Sequence, residues 1–186
     1  MQPSAPARER LLAAAIDHVA RNGLSDQSLR TIAAALGTSH RMLIYHFGSK
    51  EGLLVEIVRA VEIRQREVFA ELLADTDASA RELIVGMYER LIDPALQPME
   101  RLFFELYGQA LQGRSHTAPL LEGIVESWIE PIAEVGRRQG MDPETARTNA
   151  RLMIAVARGM LLDYLATGDA EAMRAMMEHF LSLLER

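Results

Sequence analysis

The stretch GTSHRMLIYHFGSKEGLL, residues 37–54, decides the fold of this chain of 186 residues. Its first half is a short helical run in which the polar His40 and Arg41 occur beside the apolar Leu43. A helix buried on every side would exclude the polar residues, and a fully solvated helix would not need the apolar ones. The run therefore predicts a helix that packs on one side and offers its other side to a polar, anionic partner.

A second short helical segment precedes this run. It begins near Ser28, a good N-cap residue, and ends at Gly37, and Ser39 can then cap the following helix. Two short helices joined through such a turn, after a packing helix, predict a helix-turn-helix whose second helix enters the DNA major groove. An ordinary helical hairpin with a glycine turn is the alternative on these features alone.

Charge is divided unevenly along the chain. The net charge is −6, yet residues 1–60 hold seven basic and five acidic side chains, or +2. Residues 61–186 hold thirteen basic and twenty-one acidic side chains, or −8. Because phosphate attracts basic surfaces and repels acidic ones, only the N-terminal segment is suited to approach nucleic acid.

The hydrophobic periodicity is helical almost throughout, without the alternation that marks strands. Helices are expected at about residues 7–22, 28–36, 39–47, 49–74, 80–93, 99–112, 119–139, 142–168 and 169–186. Residues 75–79 are predicted to form a polar turn, and Pro131 to kink the helix that contains it. The expected fold class is all-α.

Two parts are expected within this helical chain. Residues 1–48 are predicted to form a three-helix, helix-turn-helix DNA-binding domain, followed by a long fourth helix over about residues 49–74. Residues 75–186 are predicted to form a larger helical domain for effector binding and dimerisation.

The longer stretch LRTIAAALGTSHRMLIYHFGSKEGLL, residues 29–54, resembles the signature of the TetR/AcrR family of transcriptional regulators. In that family an IA…GVS…LY.HF.SKE.L pattern spans the helix-turn-helix and the start of helix four. The matching residues are Ile32, Ala33, Gly37, Ser39, Leu43, His46, Phe47, Ser49, Lys50, Glu51 and Leu53. The departures are Thr38 for the usual valine, Ile44 for the common tyrosine, and His40-Arg41 for an often small pair. The resemblance implies a ligand-responsive regulator, usually a repressor, that binds an inverted-repeat operator as a homodimer.

The second helix of the pair carries groups suited to DNA. Arg41 can bind guanine O6 and N7 together, and His40 can donate to a base or a phosphate. Ser28, Tyr45 and Lys50 carry donors suited to phosphate oxygens.

Three further candidates have equally good alternative roles. Thr38 and Ser39 lie at the turn, where capping is the alternative, and His46 could instead be satisfied against the first helix. The full set of predicted DNA-binding residues is Ser28, Thr38, Ser39, His40, Arg41, Tyr45, His46 and Lys50.

The segment RLMIAVARGMLLDYLA, residues 151–166, is apolar almost all the way round, with only Arg158 and Asp163 charged between residues 152 and 166. A helix of this kind must be covered on two sides. Together with the C-terminal helix it is expected to form a four-helix bundle across a twofold axis, as the family resemblance also implies. The interface candidates are Met153, Val156, Gly159, Met160, Met173, Met177, Phe180 and Leu184. A large monomer core is the alternative.

The middle helices are rich in large apolar and aromatic side chains. The candidates for an effector pocket are Met87, Tyr88, Phe103, Phe104, Tyr107 and Trp128. Small-molecule sites are lined mainly by such groups, so a bulky apolar or aromatic effector is expected. The alternative for each of these residues is a place in the core.

Two other classes of protein compete with a DNA-binding regulator. Nucleotide-binding, nucleophile-elbow and zinc-protease motifs are missing, and there is no Glu-x-x-His pair, so neither an enzyme nor a cofactor or metal site is expected. An all-helical protein-interaction adaptor without DNA specificity is the second alternative. With no cysteine, no signal pattern and no apolar stretch near the roughly 20 residues of a membrane span, the protein is expected to be cytoplasmic.

Overall fold

The computed structural model of this chain describes residues 7–22, 27–74 and 79–184, except the side chain of Ala80. The helices are α1 (Ala7–Asn22), α2 (Leu29–Ala35), α3 (His40–Phe47), α4 (Lys50–Ala74), α5 (Ala80–Leu91), α6 (Gln97–Leu111), α7 (Glu126–Arg138), α8 (Pro143–Thr167) and α9 (Ala170–Leu184). A short 3-10 helix, Ala118–Leu121, lies between α6 and α7. The described residues contain no strand, and the all-α prediction is confirmed.

Polar side chains cap the starts of the helices as the sequence predicts. The Asp142 carboxylate accepts the backbone N–H groups of Glu144 and Thr145, both at 3.1 Å, and Pro143 occupies the first helical position of α8. Asp169 accepts from the backbone N–H of Ala172 at 2.9 Å. These bonds satisfy donors that have no partner within the helix.

Before α5, Ser79 and Glu82 form a reciprocal capping box that the sequence analysis did not identify. The Ser79 hydroxyl accepts from the backbone N–H of Glu82 at 3.2 Å, while the Glu82 carboxylate accepts from the backbone N–H of Ser79 at 2.7 Å. This pair satisfies two donors of the first turn. The other residues of the predicted polar turn, 75–78, lie outside the described part of the chain.

One predicted boundary is wrong. The seventh helix begins at Glu126 and not near Pro119, because the chain first forms the 3-10 helix and then a turn at Gly123, whose φ is 70°. That left-handed backbone conformation interrupts a helix and suits glycine. Pro131 does lie inside α7, where it removes the backbone hydrogen bond to the Ser127 carbonyl.

The chain divides into two compact units, Met1–Ile63 with Pro98–Glu122, and Arg64–Gln97 with Gly123–Arg186. The first unit contains α1, α2, α3, the first half of α4 and most of α6. Its most deeply buried large side chains are Ile32, Leu43, Leu53, Ile57, Leu106 and Leu120. Most of α6 therefore belongs to the same compact unit as the N-terminal helices. The predicted division into a DNA-binding domain ending at residue 48 and an effector domain beginning at residue 75 stays a prediction.

The second unit is built around α7 and α8. Its apolar core consists of Phe69, Leu73, Leu83, Trp128, Ile129, Ala133, Val135, Ala146, Ala150 and Ile154. The Arg138 guanidinium donates to the Leu73 carbonyl at 2.7 Å, and the Arg158 guanidinium donates to the Ile124 carbonyl at 2.9 Å. The arginines therefore satisfy carbonyls that lie beyond the regular helical bonding.

Candidate nucleic-acid interface and other predicted sites

The turn between α2 and α3 is set by backbone hydrogen bonds. The Thr38 N–H donates to the Ala33 carbonyl at 2.9 Å, and the Gly37 N–H donates to the Ala34 carbonyl at 3.1 Å. These two hydrogen bonds form a Schellman motif at the end of α2. The motif requires a residue in the left-handed conformation, and Gly37 adopts it with φ at 65°. Gly37 therefore fixes the direction in which the chain leaves α2.

The third helix packs by one side only. Leu43 has 0% of its surface exposed and Phe47 has 8%, and both belong to the core of the first unit. On the opposite side, Arg41 is exposed and the Tyr45 side chain is 78% exposed, and His40, the first residue of the helix, is exposed as well. The division between a packed side and a polar, accessible side is the one that the sequence predicts.

The two serines at the helix starts act as caps. The Ser39 hydroxyl accepts from the backbone N–H of Met42 at 3.2 Å. The Ser28 hydroxyl accepts from the backbone N–H of Thr31 at 3.2 Å and lies 2.8 Å from the Thr31 hydroxyl. Both serines are exposed residues that hold the starts of their helices.

The junction between α3 and α4 depends on Gly52, whose role was not predicted from the sequence. Gly48 ends α3 with φ at 77°, and the Ser49 hydroxyl accepts from the backbone N–H of Gly52 at 2.9 Å. A Cβ atom on Gly52 would lie 2.2 Å from the Phe47 carbonyl oxygen. Only a glycine at position 52 lets the start of α4 approach the end of α3 this closely. Half-buried Lys50 is the first residue of α4, next to this junction.

Arg8 connects three helices of the first unit, and the sequence analysis did not find this contact. Its guanidinium carbon lies 5.4 Å from the centre of the Phe47 ring, and a guanidinium nitrogen is 2.6 Å from a Glu56 carboxylate oxygen. The arginine thus joins α1 to the end of α3 and to α4 by a cation–π contact and an ion pair.

His46 lies between its aromatic neighbours. Its ring centre is 5.0 Å from that of Tyr45 and 6.2 Å from that of Phe47. Its Nε2 atom is buried and has no hydrogen-bond partner among the described residues. At that nitrogen, the bond to the first helix that was the alternative to a DNA contact is not formed.

All eight predicted DNA-binding residues lie in the first compact unit, at the N-cap of α2, in the turn, in α3 and at the first residue of α4. Five of them are exposed: Ser28, Ser39, His40, Arg41 and Tyr45. Thr38, His46 and Lys50 are half-buried. Their contact with DNA remains a prediction.

The effector-pocket candidates are divided between the two units. Phe103, Phe104 and Tyr107 lie on α6 in the first unit, where the Phe103 ring centre is 5.2 Å from that of Phe104 and 5.4 Å from that of Tyr107. Trp128 belongs to the apolar core of the second unit, 6.3 Å from Phe69 between ring centres. Met87 packs against the same core.

Tyr88 is the sixth candidate and is buried in the second unit. Its hydroxyl group has no hydrogen-bond partner among the described residues. Burial raises the pKa of Tyr88 to about 12. A buried hydroxyl without a partner is costly.

A cavity of about 240 Å³ lies within the second unit. Its lining residues are Ser79, Arg81, Ile84, Ile132, Val135, Gly136, Gln139, Met141, Ala146, Asn149, Ala150, Met153, Leu181 and Leu184. None of the predicted effector-pocket residues lines this cavity, whereas Met153 and Leu184, which were predicted for the dimer interface, do. The cavity was missed because it arises where α5, α7, α8 and α9 meet, which no local pattern indicates.

The dimer candidates differ in accessibility. Met160, Met173 and Met177 are already buried within the chain, whereas Gly159 and Leu184 are exposed. Met153, Val156 and Phe180 are half-buried. The last two helices also expose four large leucine side chains: Leu152, Leu162, Leu183 and Leu184, at 50%, 53%, 50% and 41%. Dimerisation through α8 and α9 stays a prediction that these exposed leucines support.

No group of three or more His, Asp or Glu side chains within residues 7–22, 27–74 and 79–184 is arranged to hold a metal ion. None of the helices there is both long enough and apolar enough to cross a bilayer.

The known proteins that this chain resembles are regulators of transcription. Residues 11–57 match the sequence family described as bacterial regulatory proteins, tetR family. The chain is 28% identical over 154 residues to the HTH-type transcriptional repressor NicS of Pseudomonas putida. The aligned residues cover 80% of this chain and 72% of that protein.

Two solved structures share the fold over nearly their whole length. A transcriptional regulator from Rhodococcus sp. Rha1 superposes with a TM-score of 0.76 at 19% identity, covering 96% of this chain and 95% of that one. A transcriptional regulator from Saccharomonospora viridis, solved in complex with choline, superposes with a TM-score of 0.69 at 25% identity and covers 97% and 96%. The helix-turn-helix followed by further helices is therefore a shared architecture.

Proposed function

The chain belongs to the TetR family of bacterial regulatory proteins, and from that premise we propose that its helix-turn-helix binds an inverted-repeat operator as part of a homodimer. It is a DNA-binding, ligand-responsive regulator of transcription. We further infer that it acts in the cytoplasm and that it represses its target gene. The observation that carries the proposal is α3, which buries Leu43 and Phe47 and leaves Arg41 and Tyr45 accessible.

The exposed side of α3 has the chemistry that a major groove requires. Arg41 is the second residue of α3, and the N-terminal residues of a recognition helix meet base edges. Its guanidinium can bind guanine O6 and N7 together, a contact worth about 1–3 kcal/mol of discrimination. Tyr45 and Lys50 are assigned to phosphate oxygens, where they position the helix without selecting sequence.

Homodimerisation would follow from the last two helices. Leu152 and Leu162 on α8 and Leu183 and Leu184 on α9 leave large apolar surfaces in water. Apolar area removed from water contributes roughly 25 cal/mol per Å², so covering these side chains favours association. A twofold dimer presents two copies of α3, which predicts an operator with two inverted half-sites.

The effector is proposed to be a compact, largely apolar or aromatic molecule. A cavity of about 150 Å³ is known to bind benzene, so the cavity of about 240 Å³ in the second unit suits one substituted ring. Benzoate and choline are suitable probes, and a true effector should change operator affinity about 5- to 150-fold.

Selection of random duplexes by the purified chain tests the proposed function. Repeated rounds should enrich an inverted repeat, and Arg41→Ala should lose preference at one base pair in each half-site. An adaptor protein would enrich no sequence. Gly86→Ala is a suitable control for the selection, because it lies on α5, outside the proposed interface.

A further inference from the structure

The third helix partly exposes a branched aliphatic side chain beside its packed side. Ile44 is 38% exposed, although the packed side of α3 is already formed by Leu43 and Phe47. A helix turns by about 100° per residue, so Ile44 lies about 40° from His40 and about 60° from Arg41 around the axis. It therefore sits one turn after these two residues, at the border between the exposed side and the packed side, with Phe47 also about 60° away.

Met42 offers a comparison on the same helix. It is 39% exposed, almost the same fraction as Ile44. By the same helical geometry it lies about 160° from Ile44 and about 100° from Arg41. The two apolar side chains thus flank the exposed side of α3 in opposite directions, and only Ile44 falls between His40 and Arg41.

The edges of the base pairs in the major groove carry donors, acceptors and one apolar group, the C5-methyl of thymine. We propose that Ile44 contacts this methyl group and makes thymine the preferred base near the guanine bound by Arg41. The inference rests on the proposed function, because it requires α3 to lie in the groove. It adds an apolar specificity residue to the polar contacts assigned above.

The position of the thymine follows from the helix rise. Ile44 lies three residues after Arg41, or about 4.5 Å along the axis at 1.5 Å per residue. Adjacent base pairs are about 3.4 Å apart. The thymine is therefore expected within one or two base pairs of that guanine, once in each half-site of a twofold operator.

The expected effect is small but measurable. Burial of one methyl-sized group contributes about a fourfold change in affinity at roughly 0.8 kcal/mol. Loss of the methyl from both half-sites should therefore weaken binding about 15-fold, provided that the two contributions are independent.

The first test uses wild-type protein and the operator obtained by selection. Each thymine is replaced in turn by deoxyuridine, which keeps every hydrogen-bonding group and lacks only the methyl, and affinity is measured by fluorescence anisotropy at constant salt. One symmetric pair of thymines near the Arg41-dependent guanine should show the loss. If no thymine in that range is sensitive, the inference is wrong even though the operator itself upholds the proposed function.

The second test assigns the effect to a side chain. Ile44→Ala should bind the thymine and deoxyuridine operators equally, whereas Met42→Ala should retain the full wild-type difference. Thermal unfolding of both variants establishes that they are folded. If Ile44→Ala remains as sensitive to the methyl as wild type, the contact belongs to another residue. If selection yields no operator at all, the proposed function fails first.

Discussion

Gly52→Ala is the substitution that most directly tests how α3 is held. A Cβ atom at this position would lie 2.2 Å from the Phe47 carbonyl oxygen. Carbon and oxygen atoms in close contact are ordinarily about 3.3 Å or more apart. The substitution must therefore open the junction between α3 and α4 by about 1 Å. Because the opposing atom belongs to the backbone, no side-chain rotation can relieve the overlap.

The energetic cost can be isolated with a matched variant. Overpacking of this kind costs about 1–3 kcal/mol, whereas alanine in a helix interior is favoured over glycine by about 1 kcal/mol. Gly86→Ala in α5 also replaces a helical glycine by alanine, and nothing lies within 4 Å of its new Cβ. The difference in unfolding free energy between the two variants therefore reports the cost of the contact between the new Cβ at position 52 and the Phe47 carbonyl oxygen. This difference should be about 1–3 kcal/mol.

Thermal unfolding followed by circular dichroism at one protein concentration measures this difference. In a protein of this length 1 kcal/mol shifts Tm by about 2–4 °C. Gly86→Ala should melt at or above the wild-type temperature, and Gly52→Ala should melt several degrees below Gly86→Ala. Operator affinity should fall in Gly52→Ala alone, since α3 is displaced. Equal melting temperatures and equal affinities for the two variants would refute this account of the junction.

Four further predictions address other parts of the molecule. Lys50→Ala should weaken binding to all duplexes and reduce the salt slope by about 1 per protomer; an effect confined to one sequence would contradict the phosphate role. Leu162→Arg should give monomers in sedimentation, and an intact dimer would exclude α8 from the interface. Tyr88→Phe should raise the free energy of unfolding by about 1 kcal/mol near neutral pH, because it removes a buried hydroxyl without a partner. Burial raises the pKa of Tyr88 from 10.0 to about 12, so wild type should also lose stability relative to Tyr88→Phe as pH rises from 10 to 12. Parallel plots of unfolding free energy against pH for the two proteins would contradict this burial. Hydrogen bonds from Thr145, and then from the Glu144 backbone, hold the pKa of Asp142 below its ordinary value of 3.8. The stability that this cap contributes should be present above pH 3.8 and be lost as pH falls through the lower pKa of the folded state. Asp142→Ala should lack this loss of stability in acid.

Local features of the fold could be predicted because local chemistry determines them. Ser28 and Ser39 cap α2 and α3 through hydroxyl groups that accept N–H bonds three residues later. Gly37 adopts the left-handed conformation that ends α2. The start of α7 was mispredicted because Pro119 and the apolar residues after it suit a helix, while the backbone at Gly123 interrupts it.

Features that depend on distant parts of the chain could not be predicted. The ion pair between Arg8 and Glu56 joins residues 48 positions apart. The need for glycine at position 52 comes from the approach of the Phe47 carbonyl, which no pattern of residue types indicates. The cavity in the second unit likewise requires four helices to meet.

The account depends most on the claim that α3 recognises a specific operator through Arg41. The most direct measurement is a titration, at one salt concentration, of the selected operator and of a scrambled duplex of the same composition with wild type and Arg41→Ala. Wild type should bind the operator at least about 10³-fold more tightly than the scrambled duplex. Arg41→Ala should lose about 1–3 kcal/mol of affinity for the operator at each contact and little for the scrambled duplex. Equal affinity of wild type for the two duplexes, or an unchanged preference in Arg41→Ala, would contradict the claim.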